Sequence, residues 1–267
     1  MLELNHRFLF AEREVAWGVS GQGDPLVLIH GTPFSSQVWR NIAPLLAQKW
    51  TVYYFDLLGY GQSDKTAGAD VSLGIQNRLL NSLLAHWNLE KPEVLCHDFG
   101  GATALRAYYL NGLRYRRLTL VDPVALAPWG SPFVQHVRTH EVAFAGLPDY
   151  AHEALLTAYL QGAAHNRLSE ETLQIYKTPW QGDIGRPAFY RQISQMDTGY
   201  TDEIEPLYGK MSCPVRILWG EEDQWIPVKQ GQKLAKVLEA EKFQIVPGSG
   251  HLMQEDRPEA IVAAMLA

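Results

Sequence analysis

The sequence predicts an α/β fold with a mostly parallel central sheet, helices on both faces and an inserted helical segment. Short apolar runs alternate with longer segments of helical spacing, as in parallel sheets connected by helices. No convincing strand occurs between residues 126 and 208. The chain has 267 residues, 46% of them hydrophobic, which is enough to bury a large core. We expect a core domain of residues 1–125 and 209–267 and a helical cap of residues 126–208, here called the cap segment.

Apolar runs rich in β-branched residues predict the strands of the core, and helical spacing of leucines and alanines predicts helices between them. The predicted strands are Leu26–Ile29, Thr51–Phe55, Glu93–Cys96, Leu118–Val121, Val215–Trp219 and Phe243–Val246. The predicted core helices are Ser72–Leu89, Ala102–Leu110 and Ala260–Ala267.

The cap segment is rich in aromatic residues, and prolines interrupt its helical stretches. An insertion at the carboxyl ends of parallel strands lies over the edge where such sheets bind ligands. Pockets of this kind are lined mainly by apolar side chains, so we expect a small apolar substrate. The candidate substrate-binding residues are Trp129, Phe144, Tyr150 and Tyr159.

Composition excludes several other classes of protein. The formal net charge is -6 and the basic residues are scattered, unlike those of a nucleic-acid-binding protein. Two cysteines do not form a disulfide scaffold, and no metal-binding motif occurs. Residues 1–10 lack the pattern of a signal peptide, and no apolar run is long enough to span a membrane. We therefore expect a cytoplasmic protein, monomeric or homodimeric, that binds no metal, nucleic acid or membrane.

The stretch Val94–Gly101 contains the strongest functional signal. A predicted strand, a sharp turn and a predicted helix follow one another, and the glycines at 100 and 101 allow strand and helix to approach closely. This is the setting of a nucleophile elbow, usually written G-x-S-x-G, but Asp98 stands where serine is usual. An isolated aspartate before a helix would be an N-cap. In this context we interpret Asp98 as a nucleophile.

An aspartate nucleophile indicates displacement at a saturated carbon, where a halide leaves or an epoxide opens. The product is an alkyl ester of the aspartate, and water must then attack its carboxyl carbon. That step requires a general base and an oxyanion hole, and the reaction needs no cofactor. The expected oxyanion donors are the backbone N–H of Phe99, at the helix start, and that of Thr32, in the loop after the first predicted strand.

The expected base is His251, in a glycine-flanked loop after the last predicted strand. Its role would be to deprotonate the attacking water. Two acids could orient its ring: Asp223, which gives the chain order nucleophile–acid–histidine, and Asp122, which follows an earlier strand. We favour Asp223 and keep Asp122 as the alternative.

Together these segments resemble the α/β-hydrolase superfamily, and within it the Asp-nucleophile group of epoxide hydrolases and haloalkane or haloacetate dehalogenases. The resemblance covers nearly the whole chain and implies the α/β-hydrolase fold with a variable cap. The segments that carry it are His30–Pro33, Asp56–Ser63, His97–Gly101, Gly220–Asp223 and Gly250–His251.

The resemblance also implies roles for cap tyrosines. Epoxide hydrolases use a cap phenol to protonate the opening epoxide, and Phe189–Gln192 looks like their aromatic-Tyr-Arg-Asn segment. Tyr190 is therefore the expected acid, with Tyr150 or Tyr159 as its assistant. Haloalkane dehalogenases usually have tryptophan after the nucleophile and fluoroacetate dehalogenases have arginine. Phe99 supplies neither donor.

These observations predict an epoxide hydrolase that uses water and a small apolar substrate. The first alternative is a haloalkane or haloacid dehalogenase with the same ester intermediate. The second is a non-catalytic ligand-binding protein of the same fold. The presence of Asp98, Asp223 and His251 argues against the second alternative.

Overall fold

The computed structural model describes residues 1–267 and contains one eight-stranded sheet. The order across the sheet is β1-β2-β4-β3-β5-β6-β7-β8. β1, β2 and β4 pair antiparallel, and all pairings from β4 to β8 across the sheet are parallel. The strands are β1 (His6–Phe10), β2 (Arg13–Ser20), β3 (Asp24–Ile29), β4 (Trp50–Phe55), β5 (Glu93–His97), β6 (Arg117–Val121), β7 (Val215–Gly220) and β8 (Lys242–Val246).

All six predicted strands are confirmed, as β3 to β8. The antiparallel hairpin of β1 and β2 was not predicted. Its turn residues, Ala11 and Glu12, have φ values of 48° and 62°. A two-residue hairpin turn with two positive φ angles is normally signalled by Asn-Gly or Asp-Gly, and Ala-Glu gives no such signal.

Helices cover both faces of the sheet and fill the region between β6 and β7. The helices are α1 (Ala43–Leu46), α2 (Leu73–His86), α3 (Phe99–Leu110), α4 (Pro132–Ala145), α5 (Asp149–Gln161), α6 (Glu170–Lys177), α7 (Gly182–Ser194), α8 (Gly199–Asp202), α9 (Val228–Val237), α10 (Met253–Asp256) and α11 (Pro258–Leu266). The cap segment contains α4 to α8 and no strand. No helix has both the length and the apolar character needed to cross a bilayer.

The central strands carry the core. Leu26 to Ile29 of β3 are fully buried, and every residue of β5 is buried. Continuous apolar runs of this kind are expected where helices cover both faces of a parallel sheet. The sheet places the carboxyl ends of β3, β5, β6 and β7 at one edge, and the residues that follow these ends include Thr32, Asp98, Asp122 and Asp223.

The start of α3 lies very close to β3. A Cβ built at Gly100 would be 2.3 Å from the carbonyl oxygen of Ile29, and one built at Gly101 would be 2.4 Å from a side-chain atom of Pro123. No side chain fits at either position without movement of the backbone. The double glycine is therefore required by the crossing of α3 over the sheet.

We expect Gly100→Ala to lower the free energy of unfolding by about 1–3 kcal/mol, because the added methyl group overpacks the crossing. Gly209→Ala is the matched control, since a Cβ there meets no atom within 4 Å and we expect a change below about 0.5 kcal/mol. Urea unfolding followed by far-UV circular dichroism measures both. Equal unfolding midpoints for the two variants would show that the crossing tolerates a side chain.

Candidate active site

Asp98 lies in the bend between β5 and α3. Its backbone angles are φ 48° and ψ -117°, a conformation that L residues seldom adopt. Its backbone N–H donates to the carbonyl of Val121 at 3.3 Å, and its own carbonyl accepts from Val124 at 3.1 Å. These bonds hold a strained residue in place, and such strain is typical of a nucleophile elbow. The side chain makes no capping bond to α3.

The loop after β3 supplies a donor to the Asp98 carboxylate. The backbone N–H of Thr32 donates to Oδ1 of Asp98 at 2.7 Å. His30 holds this loop, because its Nδ1 donates to the carbonyl of Gly31 and its Nε2 accepts from the backbone N–H of Leu57, both at 2.9 Å. Burial lowers the pKa of His30, which favours the neutral ring that this arrangement requires. The Phe99 amide remains the expected second donor.

His251 is completely buried between two carboxylates. Its Nδ1 donates to Oδ2 of Asp223 at 2.8 Å, and its Nε2 lies 3.3 Å from Oδ2 of Asp98. Burial alone would lower the pKa of His251, but the charges and hydrogen bonds of Asp223 and Asp98 together raise it well above its ordinary value. The other oxygen of Asp223 accepts from the backbone amides of Trp225 and Ile226, so this acid is fixed by hydrogen bonds at both oxygens.

Asp122, the alternative acid, does not contact the His251 ring. Its Oδ1 accepts from the backbone N–H of Gly220 at 2.7 Å, and its Oδ2 has no partner. Burial and the nearby charge of Asp223 raise the pKa of Asp122 well above its ordinary value. The structure therefore brings Asp223, and not Asp122, into hydrogen-bond contact with the His251 ring.

His97 holds the loop that carries His251 through a hydrogen bond. Its Nε2 donates to the backbone carbonyl of His251 at 2.9 Å, while its buried Nδ1 has no partner. Burial and the neighbouring His251 lower the pKa of His97 to about 4. A neutral His97 thus contributes a fixed hydrogen bond and no positive charge.

A narrow cavity lies above Asp98 between the sheet and the cap segment. Its volume is about 50 Å³, and no lysine or arginine lines it. Most lining side chains are apolar, which suits a small neutral ligand. The lining residues are Thr32, Asp98, Phe99, Val124, Trp129, Gly130, Ser131, Val134, Tyr159, Met196, Trp225 and Ile226.

The half-buried Tyr159 lines this cavity, and the buried Tyr190 does not. The Tyr159 hydroxyl makes no hydrogen bond to another protein group, and burial together with the charge of Asp98 raises the pKa of Tyr159. Tyr190 instead donates to Nδ1 of His152 at 2.9 Å, and Nε2 of His152 donates to the carbonyl of Trp180. The expectation that Tyr190 faces the site is corrected, because its proton is already bound to His152.

Two further expectations for the cap segment are also corrected. Tyr150 is 79% exposed on the outside of α5 and cannot contact a ligand above Asp98. Phe144 packs on Phe133 and Tyr190 and is not among the residues that line the cavity. Trp129 does line the cavity, but its indole N–H donates to Oγ1 of Thr201 at 2.8 Å and is not available to a ligand.

The sequence did not indicate the contribution of Trp225, although it lies two residues after Asp223. Its ring stacks on His251 and on Tyr159.

A network around Gln192 was also missed, in which Oε1 accepts from Oγ1 of Thr32 at 2.6 Å and from the hydroxyl of Tyr60 at 3.0 Å. This network ties α7 to the loop that carries the Thr32 amide. No group of three or more His, Cys, Asp or Glu side chains is arranged to hold a metal ion.

The sheet order and the bend at Asp98 are typical of the α/β-hydrolase class, and the comparison with family models gives the same class. Residues 26–264 match the model of the alpha/beta hydrolase family. The chain therefore belongs to the α/β-hydrolase family, as the sequence resemblance predicted.

Individual relatives span more than one enzyme type. An α/β-hydrolase fold protein from Burkholderia ambifaria is 57% identical in a crystal structure that superposes with a TM-score of 0.98, covering 100% of this chain and 98% of that one. The soluble epoxide hydrolase of Corynebacterium sp. strain C12 is 28% identical over 98% of this chain and 96% of its own length. The fluoroacetate dehalogenase of a Burkholderia species is 26% identical over 90% of this chain and 85% of its own length.

We expect Asp223→Asn to lower the pKa of His251, because the amide removes the charge that favours the protonated ring. Asp122→Asn is the matched control. It removes a carboxyl with no bond to the ring, so the His251 titration should stay close to that of the wild type. Proton NMR titration of the His251 Cε1–H, assigned by its absence in His251→Gln, measures both. Equal shifts in the two variants would contradict the assignment of Asp223 as the orienting acid.

Proposed function

We propose that this protein is a hydrolase that forms an alkyl ester at Asp98, and that its substrate is a small apolar epoxide. One observation carries the proposal. The Asp98 carboxylate lies between the Thr32 amide and the His251 ring, beneath a cavity lined by Tyr159, whose hydroxyl has no protein partner. This arrangement provides a nucleophile, a base, an oxyanion donor and a proton donor in one place.

In the first half-reaction, Oδ2 of Asp98 attacks an epoxide carbon and the carbon–oxygen bond of the ring breaks. The epoxide oxygen takes the proton of the Tyr159 hydroxyl, which leaves a β-hydroxyalkyl ester and a phenolate. Oδ1 of Asp98 remains on the Thr32 amide, which leaves Oδ2, the oxygen 3.3 Å from Nε2 of His251, as the attacking atom.

In the second half-reaction, water attacks the ester carbon and His251 takes its proton. The ester no longer carries the charge of Asp98, one of the two carboxylates that raise the pKa of His251, so the ring becomes able to act as a base. The Thr32 amide stabilises the tetrahedral oxyanion. When the tetrahedral intermediate collapses, the alkoxide leaves and takes the proton from His251 to become the diol. The second proton of the water returns to the Tyr159 phenolate.

The polar groups at the cavity favour an epoxide over a halide or a haloacid. A departing halide is best stabilised by donors such as indole N–H groups, and that of Trp129 is already bound to Thr201. The indole nitrogen of Trp225 lies towards Gly162 at the end of α5, which is outside the cavity lining. A haloacid carboxylate would find no arginine or lysine there. Because a fluoroacetate dehalogenase is among the relatives, halide release is measured as the alternative outcome.

We expect His251→Gln to accumulate the Asp98 ester, because ester formation needs no base and ester hydrolysis does. Intact mass spectrometry and peptide mapping after incubation with 1,2-epoxybutane, styrene oxide, 1-bromobutane or fluoroacetate measure the adduct. Wild-type turnover is followed by diol and halide release. Asp122→Asn is the control and should turn over without accumulating ester. Halide release without diol would replace the epoxide proposal by a dehalogenase, and no adduct or product from any substrate would indicate a ligand-binding protein.

We expect Tyr159→Phe to slow ester formation from an epoxide by about 100-fold, because the leaving oxygen then lacks its proton donor. Tyr190→Phe is the matched control, since the hydroxyl of Tyr190 is bound to His152 and a change below about fivefold is expected. Single-turnover kinetics with 1,2-epoxybutane separate ester formation from hydrolysis. A larger effect of Tyr190→Phe than of Tyr159→Phe would reverse the assignment of the acid.

A further inference from the structure

The indole of Trp225 contacts both the histidine and the tyrosine that the proposed reaction uses. Its ring centroid is 5.0 Å from that of His251, with 29° between the ring planes. It is 4.8 Å from that of Tyr159, with 28° between the planes. These are the geometries of offset stacking. Trp225 also lines the cavity above Asp98.

Asp223 anchors Trp225 through a backbone hydrogen bond. The backbone N–H of Trp225 donates to Oδ1 of Asp223 at 2.8 Å, while Oδ2 of the same carboxylate accepts from His251. One carboxylate thus fixes the imidazole and the turn that presents the indole. Rotation of either ring would break its stacking with the other.

Tyr159 depends on ring packing for its orientation, because its hydroxyl forms no hydrogen bond to the protein. Phe133 and Phe189 contact its ring from within the cap segment, with centroids at 5.0 and 5.9 Å. Trp225 lies outside the cap segment, in the turn after β7. Stacking on the indole therefore fixes the Tyr159 phenol relative to the core domain.

We propose that Trp225 is a positioning residue that serves both half-reactions, by holding Tyr159 for proton donation and His251 for water activation. The inference rests on the proposed Asp98 ester mechanism. In the first half-reaction the indole keeps the phenol over the cavity. In the second it limits rotation of the imidazole, shields one side of the ring from solvent and offers an aromatic face to the charged form. A tryptophan that merely formed a wall would affect substrate binding alone.

Single-turnover kinetics with 1,2-epoxybutane distinguish these roles. We expect Trp225→Leu to slow both ester formation and ester hydrolysis by about tenfold or more, because small displacements of reacting groups have large effects on rate. Trp225→Phe should keep both rate constants within about threefold of the wild type, since a phenyl ring can still stack. Thermal unfolding of each variant verifies that it folds.

Trp129→Leu is the matched control, because Trp129 lines the same cavity but packs edge-to-face on Phe99 and does not stack on His251 or Tyr159. It should change the substrate dependence of ester formation and leave ester hydrolysis within about threefold of the wild type. The proposal is overturned if Trp225→Leu changes only substrate affinity or only one half-reaction. It is also overturned if Trp225→Phe is as slow as Trp225→Leu.

A measurement without substrate separates this inference from the proposed function. The His251 Nδ1–H bonded to Asp223 should give a downfield proton NMR signal that is absent in His251→Gln. We expect the signal to persist in the wild type and in Trp225→Phe, and to be lost by solvent exchange in Trp225→Leu. Absence of any Asp98 ester would refute the proposed function alone, whereas an unchanged signal in Trp225→Leu would refute the role of Trp225.

Discussion

The close crossing of α3 over β3 is the constraint on which the candidate site depends. It brings the loop after β3 so near to the bend that a Cβ at Gly31 would be 2.3 Å from the Cβ of Asp98. At that separation the Thr32 amide reaches one carboxylate oxygen and leaves the other free for His251. A crossing only slightly wider would lose this hydrogen bond. The glycines at 31, 100 and 101 are therefore part of the chemistry as much as of the packing.

The electrostatics of the site follow from how few charges it buries. Two carboxylates, Asp98 and Asp223, flank one imidazole, and each is held by backbone amides. Two nearby groups that would disturb this balance are favoured in their neutral forms by burial: Asp122 through a raised pKa and His97 through a lowered one. The charge of His251 is thus governed by Asp98 and Asp223. In the proposed mechanism, loss of the Asp98 charge on ester formation would therefore lower the pKa of His251 directly.

The sequence was sufficient where function is encoded locally. Asp98, Asp223 and His251 each follow a predicted strand, and parallel strands bring their carboxyl ends to one edge, so their proximity could be predicted. The cap tyrosines could not be resolved in this way. Which face of α5 or α7 meets the cavity depends on how the helices pack on each other, and the motif around Tyr190 does not show that His152 binds its hydroxyl. The hairpin of β1 and β2 was missed because its turn lacks the usual residues.

Trp225 shows how a fixed chemical centre and a helical cap can be joined. In the proposed mechanism, the core supplies the steps common to any Asp98 ester: attack, oxyanion stabilisation and hydrolysis. The cap segment would supply Tyr159, the group that meets the leaving atom and so selects its chemistry. A phenol at the end of a packed helix is useful only if its position relative to Asp98 is fixed. Tyr159 stacks on an indole whose backbone N–H is bound to Asp223. In the proposed mechanism, the acid that orients the base therefore also orients the cap.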